Sequence, residues 1–234
     1  MAIRLTRVGL RGLAFAATTL IAASAAGGQP GVHDGLYLRL GVGFGYLVDF
    51  ATSEEITVLG VSDEISAALT GVAGLGELAV GGAVSPGLFL GGGVYAHVMP
   101  SPEADDVEWR DVQTDVEFDS SSFWLLGPFV DYYLDPRGGL HLQGSVGLAY
   151  GVLGDGEAQD GLLQNQTIDD MSGVGLGLLV GVGHEWWVGD AWSLGVLGRF
   201  ALGTFSSESE AVPADVDWSH LVLAPGVLFT ATLN

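Results

Sequence analysis

The stretch LYLRLGVGFGY, residues 36–46, alternates between two kinds of side chain. Bulky apolar residues hold every second position from Leu36 to Tyr46, and Tyr37, Arg39 and three glycines hold the positions between them. Successive side chains of a β-strand point to opposite faces of the sheet. The stretch therefore predicts a strand with one bulky apolar face and one face of small or polar residues.

The start of this strand recurs along the chain. The sequences GLYL at 35–38, GLFL at 87–90 and GLHL at 139–142 are spaced by 52 residues. A further step of 52 residues from Leu142, the last residue of the third copy, reaches Leu194. A period of this length suits one β-hairpin and its loop. Four such units predict eight strands.

The same alternation marks all eight strands and the connections between them. The strands are predicted near 35–46, 70–84, 87–99, 123–134, 140–153, 173–188, 192–205 and 220–234. Short turns at Ser85-Pro86, 135–138 and 189–191 interleave with long polar connections at 49–69, 100–121, 154–172 and 206–219. Short periplasmic turns and long extracellular loops are typical of outer-membrane barrels. The sequence predicts an all-β fold, an eight-stranded antiparallel up-and-down transmembrane β-barrel.

Three features favour a barrel in lipid over a soluble β-sandwich, which is the alternative fold. Many predicted strands have about 10 residues or more, as tilted transmembrane strands do. Most of the 28 acidic residues fall in the long connections and almost none on the apolar strand faces. Aromatic residues near the strand ends resemble an interfacial girdle, namely Tyr46, Trp124, Tyr132, Trp186 and Trp192.

The N-terminus has the pattern of a secretory signal. Arg4, Arg7 and Arg11 precede a short apolar run at 13–23, and the small residues Ala23 to Ala26 offer a cleavage site. We expect a cleaved signal peptide at 1–26, a short linker at 27–34 and the barrel at 35–234. A membrane-anchoring helix is the alternative for the first segment, but its apolar run is short.

Composition excludes several classes of function. The chain has no Cys, so it has neither disulfides nor thiolate metal sites. Seven basic residues face 28 acidic ones, for a net charge of −21. Nucleic acid requires a basic surface, so it is not an expected partner. We expect no cofactor.

Five charged residues point inward by strand parity: Arg39, Glu77, Asp131, Glu185 and Arg199. Eight strands enclose an interior only wide enough to be filled by side chains, and buried charges must be paired. The sequence therefore predicts a structural ionic cluster in the lumen, joined by His141 and Gln143. The alternative is a narrow or gated ion path, because charges inside a membrane are functional candidates.

No catalytic or metal site is predicted, and we do not expect an enzyme. His184-Glu185 lacks the second His that a zinc protease requires. No Ser stands at a suitable spacing from a His on the same predicted face. The acidic loops, for example Asp155 and Glu157, read as solvated surface. An alternative is that they bind divalent cations at the lipopolysaccharide surface.

The pattern over Gly35 to Asn234 resembles the small outer-membrane β-barrel proteins of the OmpA/OmpX type. The resemblance implies a Gram-negative outer membrane, contact with its lipid and lipopolysaccharide, and a monomer. It also implies insertion by the outer-membrane assembly machinery, which reads a C-terminal strand of alternating apolar residues such as Val227, Phe229, Ala231 and Leu233. We expect a structural or surface-interaction role through the four long acidic loops. A small passive pore and a lipid-modifying enzyme are the alternatives.

Overall fold

The structure is a computed structural model that describes residues 31–54, 56–58, 61–109, 112–158, 167–211 and 214–234. Fourteen strands form within these ranges. They are β1 (Leu36–Ser53), β2 (Ile56–Val58), β3 (Val61–Asp63), β4 (Ser66–Ser85), β5 (Leu88–Pro100), β6 (Glu103–Trp109), β7 (Val112–Phe118), β8 (Ser120–Tyr133), β9 (Leu140–Leu153), β10 (Gly156–Ala158), β11 (Thr167–Ile168), β12 (Met171–Trp187), β13 (Trp192–Ala211) and β14 (Ala214–Leu233). The predicted signal peptide lies outside the described residues.

The eight long strands close into a barrel. In ring order they are β1, β4, β5, β8, β9, β12, β13 and β14, and each pairs antiparallel with the next. The ring closes because β1 pairs with both β4 and β14, so Leu38 lies opposite Val80 on one side and Leu233 on the other. A closed ring leaves no open sheet edge, as a membrane-spanning sheet requires. The predicted fold class is confirmed.

The strands continue further outward than the sequence predicted. The connection at 206–219 is mostly strand, because β13 and β14 stay paired from Trp192 opposite Leu233 to Ala211 opposite Ala214. The other long connections also carry short strands, and β6 pairs with β4 so that β6, β7, β10 and β11 extend the sheet. The apolar alternation of side chains ends where the strands leave the lipid. The backbone hydrogen bonds between paired strands continue further, because they do not depend on lipid. The sequence pattern therefore set the strand ends too early.

The outer face of the barrel is an apolar belt. Large hydrophobic side chains are exposed on every barrel strand, for example Val42 at 69% and Val174 at 70%. A water-soluble protein would bury such a surface, so the belt faces lipid. The five predicted girdle residues are all exposed on this face. Among the described residues, no helix is long and apolar enough to cross a membrane.

The lumen is packed with side chains from one end to the other. Near the periplasmic turns, an aromatic cluster contains Tyr37, Phe89 and Tyr133. Leu75, Leu197 and Leu228 meet higher in the barrel. A larger apolar cluster fills the extracellular end, with Leu47, Met99 and Phe205 among its members. The described part of the barrel is therefore a filled cylinder, as expected for eight strands.

Candidate functional site: polar networks in the lumen

Arg39 is the centre of the first polar network in the lumen. Its Nη2 lies 2.6 Å from Asp131 Oδ2 and 3.0 Å from Glu185 Oε1, and all three side chains are fully buried. Its Nε donates to Thr232 Oγ1 at 3.1 Å. β1, β8, β12 and β14 each supply one of these residues, so the network ties together opposite walls of the barrel.

Hydroxyl and imidazole groups satisfy the two carboxylates of this network. Tyr37 donates to Asp131 at 2.6 Å, and His141 Nδ1 lies 2.8 Å from the other oxygen of that carboxylate. Glu185 accepts from Tyr133 at 2.8 Å, and from Ser193 and Thr232 at 2.6 Å each. Charged hydrogen bonds of this kind are stronger than neutral ones. Together with the single guanidinium of Arg39, these hydrogen bonds stabilise both buried carboxylates.

A second network lies nearer the middle of the barrel. Arg199 Nη1 lies 3.2 Å from Glu77 Oε2, and Gln143 donates to Glu77 Oε1 at 2.8 Å. The guanidinium carbon of Arg199 also lies 5.5 Å from the ring centre of Tyr95. A cation beside an aromatic face is a favourable contact.

Among the described residues, Glu77 is the one carboxylate that forms an ion pair with Arg199.

All five charged residues that the sequence placed in the lumen are buried there, but in two separate groups. Arg39, Asp131 and Glu185 form one group, and Glu77 and Arg199 form the other. His141 belongs to the first group and Gln143 to the second. Parity gave the correct face for each residue. The hydroxyl partners of the carboxylates were missed, although parity had also placed Tyr37, Tyr133, Ser193 and Thr232 on the inner face.

Residues 31–34 close the periplasmic end of the lumen. The ring of His33 stacks on Tyr133 with centroids 3.6 Å apart, and it lies 4.4 Å from the ring of Trp187. The backbone N–H of His33 donates to the carbonyl of Pro136 at 2.7 Å, and its carbonyl accepts from Gly87 N–H at 2.7 Å. Burial lowers the pKa of His33, which keeps its ring neutral at pH 7.

A third polar network lies at the extracellular end, inside the larger apolar cluster. Ser207 Oγ is 3.0 Å from His220 Nε2, and His220 Nδ1 is 3.0 Å from Asp49 Oδ2. All three residues are buried. The expectation that no Ser stands at a suitable spacing from a His on the same face was wrong for Ser207 and His220. The sequence pattern had placed Asp49 and Ser207 in loops, whereas they lie in β1 and β13.

The acidic loops show no metal centre in the part of the chain that the structure describes. No group of three or more His, Asp or Glu residues there has the geometry to hold a metal ion. Asp155, one of the acidic loop residues, instead accepts a hydrogen bond from the backbone N–H of Asp170 at 3.0 Å. Cation binding by these loops stays a prediction.

Comparison with known proteins finds similarity only among solved structures. No model of a known protein family matches the chain, and no curated protein matches its sequence. Similar structures include the attachment invasion locus protein Ail of Yersinia pestis, with 10% identity, 84% of this chain and 99% of that chain covered, and a TM-score of 0.37. OprG of Pseudomonas aeruginosa has 11% identity, 86% and 98% coverage and a TM-score of 0.42. The outer-membrane protease OmpT of Escherichia coli has 9% identity, 84% and 97% coverage and a TM-score of 0.41.

These TM-scores lie below 0.5, so the assignment of the fold rests on the strand pairing and the apolar belt. A closed antiparallel barrel of eight long strands, with short turns at one end and an outward apolar band, is the architecture of bacterial outer-membrane proteins. The chain has this architecture throughout its described residues.

Proposed function

We propose that the chain is a sealed outer-membrane barrel that presents acidic β-structure at the cell surface for contact with cationic ligands. The observation that carries this proposal is the extension of the barrel sheet beyond the lipid belt. β6 pairs with β4, β7 pairs with β6, and β10 pairs with β7, so the hairpin of β6 and β7 is tied to the barrel wall by backbone hydrogen bonds. Loops whose only role is to keep the surface hydrophilic would need no such backbone hydrogen bonds to the barrel wall.

The charge of this extension supports a cationic ligand. Residues 103–118 contain seven acidic residues and one basic residue, Arg110. The outer ends of β13 and β14 add Glu208, Glu210, Asp215 and Asp217. A surface of one charge sign attracts ligands of the opposite sign and speeds their encounter. Lipopolysaccharide phosphates would be repelled unless cations lie between them and the loops.

We expect removal of the acidic charge from the hairpin to weaken binding of a cationic peptide. The variant replaces the carboxylates of residues 103–117 with amides: E103Q, D105N, D106N, E108Q, D111N, D115N and E117Q. Binding of fluorescent oligolysine to cells that express the barrel should fall by about tenfold or more, equivalent to about 1.4 kcal/mol. Added salt should weaken the wild-type interaction, because exposed charges are screened.

The matched control is the double variant D135N and D190N, whose substitutions lie in the periplasmic turns. It removes acidic charge from the opposite end of the barrel and should leave binding unchanged. Folding of each variant is checked by the faster migration of the unboiled barrel in detergent gels. Equal binding by the hairpin variant, or preferential binding of heparin over oligolysine, would contradict the proposed function.

We expect the purified barrel to give no single-channel steps in planar lipid bilayers. Three levels of packing lie along its axis: the aromatic cluster with the Arg39 network, the three central leucines, and the extracellular apolar cluster. Ions would have to displace buried side chains at each level. A wide outer-membrane porin measured in the same bilayer serves as the positive control. Reproducible steps from the purified barrel would favour the pore alternative.

A further inference from the structure

The hydrogen bonds of Ser207, His220 and Asp49 run in one direction. The carboxylate of Asp49 can only accept, so in the neutral imidazole the proton is on Nδ1 and points to Asp49 at 3.0 Å. Nε2 is then the acceptor, and the hydroxyl of Ser207 donates to it at 3.0 Å. This order of hydroxyl, imidazole and carboxylate is that of an activated serine nucleophile.

The imidazole is held in this orientation by packing as well. Phe205 lies directly opposite His220 in the β13–β14 ladder, and their rings stack at 4.2 Å with an angle of 8°. Gly151 makes room for Phe205, because a Cβ at that position would collide with the phenyl ring. The three polar residues come from β13, β14 and β1, which are adjacent strands of the closed barrel. A general base must lie within hydrogen-bond reach of the proton that it abstracts, and this packing holds the imidazole in that position.

The surroundings of Ser207 indicate the chemistry of a substrate. The network lies among apolar side chains that include Leu47, Phe205 and Val222, which suit an apolar acyl group. Acidic side chains stand at this end of the barrel, among them the exposed Glu208 and Asp217. They disfavour an anionic substrate.

We propose that Ser207 is the nucleophile of a hydrolytic site that cleaves neutral or cationic carboxylic esters with an apolar acyl group. His220 is the general base and Asp49 is the residue that positions it. This activity is separate from the surface contacts of the acidic hairpin. Neither strand position nor burial alone suggests it; the direction of the two hydrogen bonds, from Ser207 to His220 and from His220 to Asp49, does.

The reaction balances with an ester and water as the only reactants. Ser207 Oγ attacks the ester carbonyl carbon while its proton passes to His220 Nε2. The tetrahedral intermediate expels the alkoxide, which takes that proton and leaves as the alcohol. Water then attacks the acyl-serine and gives a proton to Nε2. That proton returns to Ser207 Oγ as the carboxylic acid departs.

The first test is covalent labelling of the folded barrel in detergent with diisopropyl fluorophosphate, a small uncharged probe that forms a stable adduct with activated serines. Peptide mass spectrometry should place one adduct on Ser207. S207A should abolish the adduct. H220Q should slow labelling about 100-fold or more, because a general base contributes about 10²–10⁴ in rate. S145A is the control, since Ser145 is a buried lumen serine whose hydroxyl donates to the carbonyl of Pro128 instead.

The second test measures ester cleavage and shows whether the ester that is cleaved belongs to a lipid or to a soluble compound. We expect turnover of p-nitrophenyl butyrate and slower turnover of 3-butyryloxy-4-nitrobenzoic acid, its anionic analogue. A parallel assay with phosphatidylcholine in mixed micelles distinguishes a lipid ester from a soluble one. D49N should lower kcat with little change in KM, and D49E, which keeps the carboxylate, should recover part of the loss. Absence of a Ser207 adduct in the folded barrel, or equal labelling of H220Q, would overturn the proposal.

Discussion

Replacement of Arg39 with methionine should destabilise the barrel by about 3–5 kcal/mol, the usual cost of removing one partner from a buried ion pair. Arg39 lies within 3.0 Å of both Asp131 and Glu185, and all three side chains are excluded from solvent. Methionine fills much of the same volume but leaves two buried carboxylates without their cation. Urea unfolding of the barrel in lipid vesicles, followed by tryptophan fluorescence, measures the change in the free energy of unfolding.

Two further variants show whether the loss comes from the unpaired charges. R137M removes an exposed arginine from a periplasmic turn and should change stability by less than about 0.5 kcal/mol. The triple variant R39M, D131N and E185Q removes the whole set of charges and should regain part of the stability that R39M loses. If R39M and R137M unfold at the same urea concentration, the network does not stabilise the barrel.

The inner and outer faces of the barrel could be predicted from the sequence because a strand has a strict period of two. Arg39 and Asp131 each lie between two apolar outward residues, and Glu185 lies between the outward His184 and Trp186; all three are buried in the structure. Their partners could not be predicted in the same way. Contacts across the lumen depend on the stagger between strands, and a shift of two residues keeps every side chain on its face but changes what it meets. That is why Glu77 pairs with Arg199 and not with Arg39.

The extracellular network was missed for a different reason. Ser207 lies between Ser206 and Glu208, where the apolar alternation has already stopped. Asp49 was assigned to a loop although Val48 and Phe50 on either side continue the alternation. In the structure, Asp49 lies opposite Val222 and Phe205 lies opposite His220, in ladders that continue past the lipid belt. Long hairpins keep their register through backbone hydrogen bonds even when both strands become polar. Inward parity extended beyond the apolar pattern would have placed Ser207 and His220 on one face.

Addition of a single methyl group at Gly147 should cost about 3 kcal/mol or more, at the upper end of the range for overpacked sites. The backbones of β8 and β9 approach each other closely at Gly127 and Gly147. A Cβ on Gly147 would lie 2.7 Å from the Cα of Gly127 and would collide with the carbonyl oxygen of Leu126. The neighbouring atoms are backbone and cannot rotate away, so G147A must push the two strands apart. The fraction of barrel that migrates as the folded form in unboiled gels, together with urea unfolding, measures the loss.

G92A is the matched control, because it makes the same substitution within a barrel strand where space is open. Gly92 lies in β5 with nothing within 4 Å of its Cβ position. Alanine loses less conformational freedom than glycine on folding, so G92A should range from neutral to about 1 kcal/mol more stable. A loss for G147A beside no loss for G92A would identify the close approach of β8 and β9, rather than glycine content, as the requirement. Equal stability of the two variants would mean that the strands can separate there without cost.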